Sequence, residues 1–209
     1  MINDAHQTMT RITLKLNFLA FVLSTFLIAP GFTPTAGYSK IVKSDFRNFY
    51  NPIQNGEADV IRGVYVSNTL ALPVVQQPDN NPYYVSSHDG EVTQFATASQ
   101  YGNIGLLAHN NLSGKSFSKL SVGQDVELVY GDGRIEKFVI TEVLRFQALQ
   151  PQSQQSAFLN LDHAETLSAN QMFNRVYSGS RHLTFQTCIK ANGNTSWGRL
   201  FVVATPEAQ

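Results

Sequence analysis

Two strand-like runs near the C-terminus constrain this chain more than any other feature. Residues 182–189 are rich in Thr, Phe, Leu and Ile, and residues 197–204 are almost wholly apolar apart from Arg199. Between them lies Asn192-Gly193-Asn194. Asn and Gly tolerate positive φ, so this connection predicts a hairpin. Side chains alternate along a strand. His182, Thr184, Gln186 and Cys188 therefore share one face, and Leu183, Phe185, Thr187 and Ile189 share the other. The mainly apolar face reads as core. The polar face carries Cys188, the single cysteine of the protein.

One cysteine excludes an internal disulfide framework and a cysteine-rich zinc site. Fifteen basic residues balance fifteen acidic ones. No basic field is available to hold nucleic acid. The length of 209 residues suits one domain with a sizeable core and an N-terminal appendage. Residues 1–36 carry that appendage. Arg11 and Lys15 precede an uncharged window from Leu16 to Ser39, with a dense apolar part from Leu16 to Ala29 and small residues at Ala36-Gly37. This pattern reads as an export signal. The dense part falls short of the roughly 20 residues that span a bilayer, whereas the whole window reaches that length if Pro30 and Pro34 are tolerated. A cleaved signal and a retained membrane anchor both fit.

Residues 37–59 read as a linker or irregular extension. Strand signals begin at Val60 and recur in short runs: 61–66, 71–76, 83–86, 103–109, the alternating 126–130, and one long run over 135–149. The spacing of Val92, Phe95 and Ala96 predicts a short helix within 91–100, residues 115–120 a helical turn, and 165–177 a second helix. Gln150 to Ser156 reads as a loop. Many short strands with few helices argue for an all-β barrel.

A lone cysteine is usually a small buried hydrophobe. Here its neighbours carry a family resemblance. Thr184-Phe185-Gln186-Thr187-Cys188 resembles the Thr-Leu-x-Thr-Cys signature of the sortases, cysteine transpeptidases of bacterial surfaces. Arg199 follows at the start of the next apolar strand, and Gly105-Leu-Leu-Ala-His109-Asn110 resembles the strand end bearing the family's histidine. The resemblance covers roughly residues 60–205. It departs at Phe185, where Leu is usual, and at Ala108 and Asn110, where Gly and Arg are common.

The resemblance implies a closed barrel of about eight strands with a few short helices. It also implies a catalytic set of His109, Cys188 and Arg199. A thiol with a pKa near 8.5 supplies little thiolate at neutral pH. An imidazole can take its proton and return it to a leaving amine. A fixed cation can meet the charge of a tetrahedral intermediate. Among the other histidines, His6 precedes the export segment, and His182 lies six residues from Cys188, roughly 20 Å at strand rise. His88 and His163 read as solvated loop residues. Thr187 is a candidate for holding substrate or fixing the thiol. Phe185 and Trp197 read as core. Some sortases bind calcium through loop carboxylates, for which Asp162 and Glu165 are candidates, but two loop acids are usually only solvated and no metal or other cofactor is expected. The expected partners are a protein substrate with a short sorting signal and an unidentified amine acceptor, met at the extracytoplasmic face of the membrane or after secretion. Hydrolysis by water, and a non-catalytic peptide-binding module, remain alternatives.

Overall fold

The computed structural model describes residues 46–153 and 155–208. The export segment expected over residues 1–36 lies outside the described residues. Ten strands form one mainly antiparallel sheet: β1 (Ile61–Val66), β2 (Leu70–Gln76), β3 (Val92–Gln94), β4 (Ile104–Leu107), β5 (Asp125–Tyr130), β6 (Ile135–Ala148), β7 (Phe158–Asn160), β8 (Thr166–Leu167), β9 (Leu183–Ala191) and β10 (Asn194–Pro206). Their order is β10-β9-β4-β3-β2-β1-β5-β6-β7-β8, and β10 also pairs with β6. That last pairing closes eight strands into a barrel and leaves β7 and β8 as an extension on β6. Only β2–β3 and β4–β9 are parallel. Three α-helices, α1 (Phe46–Ile53), α2 (Ala96–Ser99) and α3 (Ala169–Tyr177), and a 3₁₀ helix (Ser113–Lys119) decorate the barrel.

Strands β4, β9 and β10 are covered on both faces. Leu106, Leu183, Phe185, Leu200 and Val202 point into the barrel. Leu107 and Phe201 point outward into a second cluster with Phe95, Met172, Phe173, Val176 and Tyr177. Double coverage explains the unbroken apolar runs 104–108 and 200–204. In β9 the outer face is polar but still buried, because its groups anchor α3. Thr184 Oγ1 donates to the Val176 carbonyl at 2.7 Å, and the Tyr177 hydroxyl donates to Gln186. Ser168 caps α3 through a box with Gln171.

Several sequence expectations differ from the structure. Residues 83–86 form no strand; they follow a turn closed by Tyr84 N–H to Asn81 O at 3.1 Å. The helix expected over 91–100 divides into β3 and the single turn α2, because Val92 to Gln94 pair with β2 and Thr93 and Gln94 pair also with β4. The second helix begins at Ala169 rather than 165, since Thr166-Leu167 pair with β7. The stretch 37–59 carries α1, whose Phe46 and Phe49 pack on Tyr65 and whose Tyr50 hydroxyl donates to the Gly133 carbonyl at 2.7 Å.

Gly105 sets how closely α2 and α3 approach the barrel. A Cβ there would stand 2.9 Å from Phe95 Cβ, 3.0 Å from a Tyr177 ring carbon and 3.2 Å from Ala98 Cβ. Gly105→Ala is therefore expected to lower stability by about 1–3 kcal/mol, the usual cost of overpacking. Urea unfolding checks this; an unchanged midpoint would show that the helices can shift without cost.

Candidate active site

Strand registry assembles the site. In the parallel pair, Leu107 lies opposite Gln186, and the ladder continues through Ala108 N–H to Gln186 O at 3.2 Å. His109 and Cys188 lie two residues beyond Leu107 and Gln186 in their chains, past the last paired residue of β4. In the antiparallel pair, Arg199 is the partner of Cys188, and Phe201 the partner of Gln186. Parity places Cys188 and Arg199 on the outer face with Gln186 and Phe201. The row Leu107–Gln186–Phe201 is buried. Beyond it cover begins to open: Cys188, and His109 past the end of β4, are half-buried. Adjacent strands run about 4.8 Å apart. Cys188 and Arg199 thus occupy paired positions on neighbouring strands, and His109 follows the end of β4 on the other side of β9.

Cys188 is a free thiol. Arg199 is only 4% exposed. Its Nη1 donates to the carbonyls of Ser196 and Gly198, at 3.1 and 2.9 Å. Its guanidinium carbon stands 6.0 Å from the centre of the Phe158 ring. The ion pairs among the described residues join other groups. Carbonyl dipoles and a ring face stabilise this cation without cancelling its charge, so it can still attract developing negative charge nearby.

The hairpin after Cys188 is tight. Asn192 and Gly193 have φ of 51° and 75°, as a two-residue left-handed turn requires. On the return, Asn194 pairs with Ala191 and Gly198 with Ile189. Thr195, Ser196 and Trp197 therefore oppose Lys190 alone, a bulge that re-aims the start of β10. Asn110 Nδ2 donates to the Thr195 carbonyl at 2.9 Å and ties the chain after His109 to this bulge. Trp197, read from sequence as core, lies half-buried in the bulge and joins neither apolar cluster.

His109 is held by its backbone. Its carbonyl accepts from the N–H groups of Leu112 and Gly114, each at 3.0 Å. Thr187 Oγ1 donates to the Ala108 carbonyl at 2.8 Å, so this buried hydroxyl braces the histidine strand. Gly114 leaves room for the arrangement: a Cβ there would strike the Thr187 hydroxyl and the carbonyls of His109 and Ala108. Burial of the His109 imidazole lowers its pKa, and a backbone hydrogen bond to the Val85 carbonyl opposes that in part. At neutral pH the ring is thus the uncharged base rather than the acid.

The other described histidines are His182, His88 and His163. His182 is buried with its ring nitrogens 2.7 Å from the Ser180 carbonyl and 2.9 Å from the Val176 carbonyl. His88 and His163 are exposed. Asp162 forms an ion pair with Arg145, and Glu165 is exposed. Val85 could not be singled out from sequence, because it contributes a main-chain carbonyl to which its side-chain identity is no guide.

No protein-family model matches the chain, and no curated protein matches it. Among solved structures it is similar to sortase A of Listeria monocytogenes, at 15% identity and a TM-score of 0.44, over 72% of this chain and 89% of that one. It is similar to sortase A of Corynebacterium diphtheriae, at 11% identity and a TM-score of 0.48, over 73% and 63%. It is also similar to a sortase D5 transpeptidase of Clostridium perfringens, at 16% identity and a TM-score of 0.42, over 78% and 86%.

The lowered pKa of His109 has a sign that can be measured. The unfolded chain, with an ordinary histidine near 6.5, takes up a proton first as pH falls. The His109 contribution to stability is complete above about pH 6.5 and is lost as pH falls through the lowered folded-state value. Thermal unfolding between pH 7.5 and 5 should show a smaller loss of Tm in His109→Gln than in the wild type. Parallel curves would contradict the burial of this ring.

Proposed function

We propose that the protein is an exported, sortase-type cysteine transpeptidase in which Cys188 is the nucleophile, His109 the acid–base residue and Arg199 the oxyanion-stabilising cation. The observation that supports this reading is the registry of β4, β9 and β10: Arg199 pairs with Cys188, and Leu107 pairs with Gln186, two residues before His109 and Cys188 respectively. The resemblance of Thr184 to Cys188 to the sortase signature supports it.

The chemistry follows from the three groups. His109 takes the thiol proton, and the Cys188 thiolate attacks the carbonyl carbon of a peptide bond in a sorting signal. The carbonyl electrons move to oxygen, and Arg199, with no accessible neutral form, stabilises that charge. His109 returns the proton to the leaving nitrogen as the C–N bond breaks, and the acyl half remains as a thioester on Cys188. An amine then attacks the thioester and loses a proton to His109, and the new amide departs as the thiolate is restored. The substrate is a protein bearing the signal, presented at the extracytoplasmic side of the membrane, where residues 1–36 would deliver or hold the enzyme. In the bundled strand row Thr187 acts on the histidine strand through Ala108.

The test uses pooled peptides, with and without an added amine, and mass spectrometry of products and protein. Wild type should form a Cys188 acyl adduct and an amide product; Cys188→Ala should form neither. Folded His109→Ala should lose about 10²–10⁴ in kcat/KM. Arg199→Ala should lose about 10²–10³, with little recovered in Arg199→Lys, which keeps charge but not the planar fork. Free acid as the sole product would replace transfer by hydrolysis. Near-wild-type turnover in His109→Ala would remove the proposed acid–base residue.

A further inference from the structure

The bulge that opens β10 does more than turn the chain. Thr195, Ser196 and Trp197 stand opposite Lys190 alone, so their backbone groups leave the regular ladder. The peptide unit between Thr195 and Ser196 is held at both ends. Its carbonyl accepts from Asn110 Nδ2 at 2.9 Å, and its N–H donates to Asn194 Oδ1 at 2.8 Å. The next carbonyl along the chain, that of Ser196, accepts from Arg199 Nη1 at 3.1 Å, and the Gly198 carbonyl accepts from the same nitrogen at 2.9 Å. The bulge thus holds the guanidinium, and two asparagines hold the bulge.

The two asparagines differ in origin. Asn194 belongs to the hairpin itself, and its bond is the local turn that an Asn side chain commonly makes with the backbone two residues on. Asn110 comes from the other side of β9, 85 positions away from Thr195. It follows His109 directly, in a turn fixed by the His109 carbonyl, which accepts from the Leu112 and Gly114 N–H groups at 3.0 Å each. A peptide unit is planar. Holding both the Thr195 carbonyl and the Ser196 N–H therefore sets its plane. Only the two backbone torsions of Ser196 then separate that plane from the carbonyl that holds Arg199. Asn110 is half-buried and Thr195 exposed, so losing this one bond should leave the fold intact.

We infer that Asn110 is a positioning residue for Arg199: by holding the Thr195–Ser196 peptide it aims the Ser196 carbonyl at the guanidinium, and so fixes where the cation stands relative to Cys188, its strand partner. With Nη1 anchored on two carbonyls, the three N–H donors of Nη2 and Nε are not needed for the anchorage and can serve a developing oxyanion. The inference rests on the transpeptidase reading for its effect on turnover, but the state of the guanidinium can be observed without substrate.

The experiment is ¹⁵N spectroscopy of the guanidinium nitrogens in wild type, Asn110→Ala and Asn110→Leu, with Arg199→Lys identifying the Arg199 signals by their loss. Leu matches Asn closely in shape and lacks its donors. Wild type should show separate Nη1 and Nη2 signals, as slow rotation of an anchored guanidinium requires, and each folded variant one averaged signal. On a peptide that the wild type turns over, both variants should show kcat lowered about 10–100-fold with KM little changed, as expected for a misplaced group. Added to Arg199→Ala, Asn110→Ala should cost nothing further, because a residue acting through Arg199 has nothing left to position. Separate signals retained in either folded variant, or an equal loss of kcat with and without Arg199, would overturn the inference. Absence of peptide turnover in wild type would instead count against the transpeptidase reading, and the spectra alone would then decide the role of Asn110.

Discussion

Everything in the site depends on the register between three adjacent strands. A one-residue slip of β9 against either neighbour would turn Cys188 into the barrel and bring Thr187 out. The register is fixed by burial on both faces. Phe185 is wholly buried inside the barrel, with its ring centre 5.1 Å from that of Phe117. Outside, Thr184 and Gln186 bond to α3. Neither set can exchange places without burying unpaired polar groups or exposing large apolar ones. The position of the thiol is thus a consequence of core packing one and two rows below it.

That arrangement divides the outer face into a covered part and an accessible part. Helix α3 covers β9 through Gln186, and Cys188 is the first outward residue with partial exposure. Cys188 is half-buried and its strand partner Arg199 is nearly buried, so charges and dipoles there act over a lower local dielectric than in bulk water. Burial likewise lowers the His109 pKa. Strands β9 and β10 hold Cys188 and Arg199, His109 follows the end of β4, and specific hydrogen bonds brace these segments, Asn110 to the β10 bulge and Thr187 to Ala108.

Much of this was legible in the sequence, for identifiable reasons. The hairpin between β9 and β10 follows from Asn192-Gly193, and the long β6 from an uninterrupted run of strand formers. The alternation in 182–189 assigned Cys188 and Phe185 to opposite faces, as found. It could not show that the polar face is buried, because the partners of Thr184 and Gln186 are the main chain and Tyr177 of a helix whose docking is a tertiary fact. Residues 91–100 look helical by spacing, yet Val92 to Gln94 complete a gap in the sheet, and pairing overrides the local pattern. Trp197 misleads for a related reason: it continues an apolar run in sequence, but the bulge takes it out of the ladder. That His109 and Cys188, 79 positions apart, serve one site is a reading of the family resemblance; the β4–β9 register pairs Leu107 with Gln186, two residues before each of them.

The most direct measurement is the rate of Cys188 alkylation by iodoacetamide as a function of pH, in wild type and in folded His109→Ala. It needs no knowledge of the substrate. If the imidazole and the thiol are neighbours, protonating His109 must alter the reactivity of Cys188, and the wild-type profile should carry an inflection below about pH 6.5 that disappears in the variant. Superimposable profiles would show that the two groups do not interact, and would contradict the placement of His109 and Cys188 in one site.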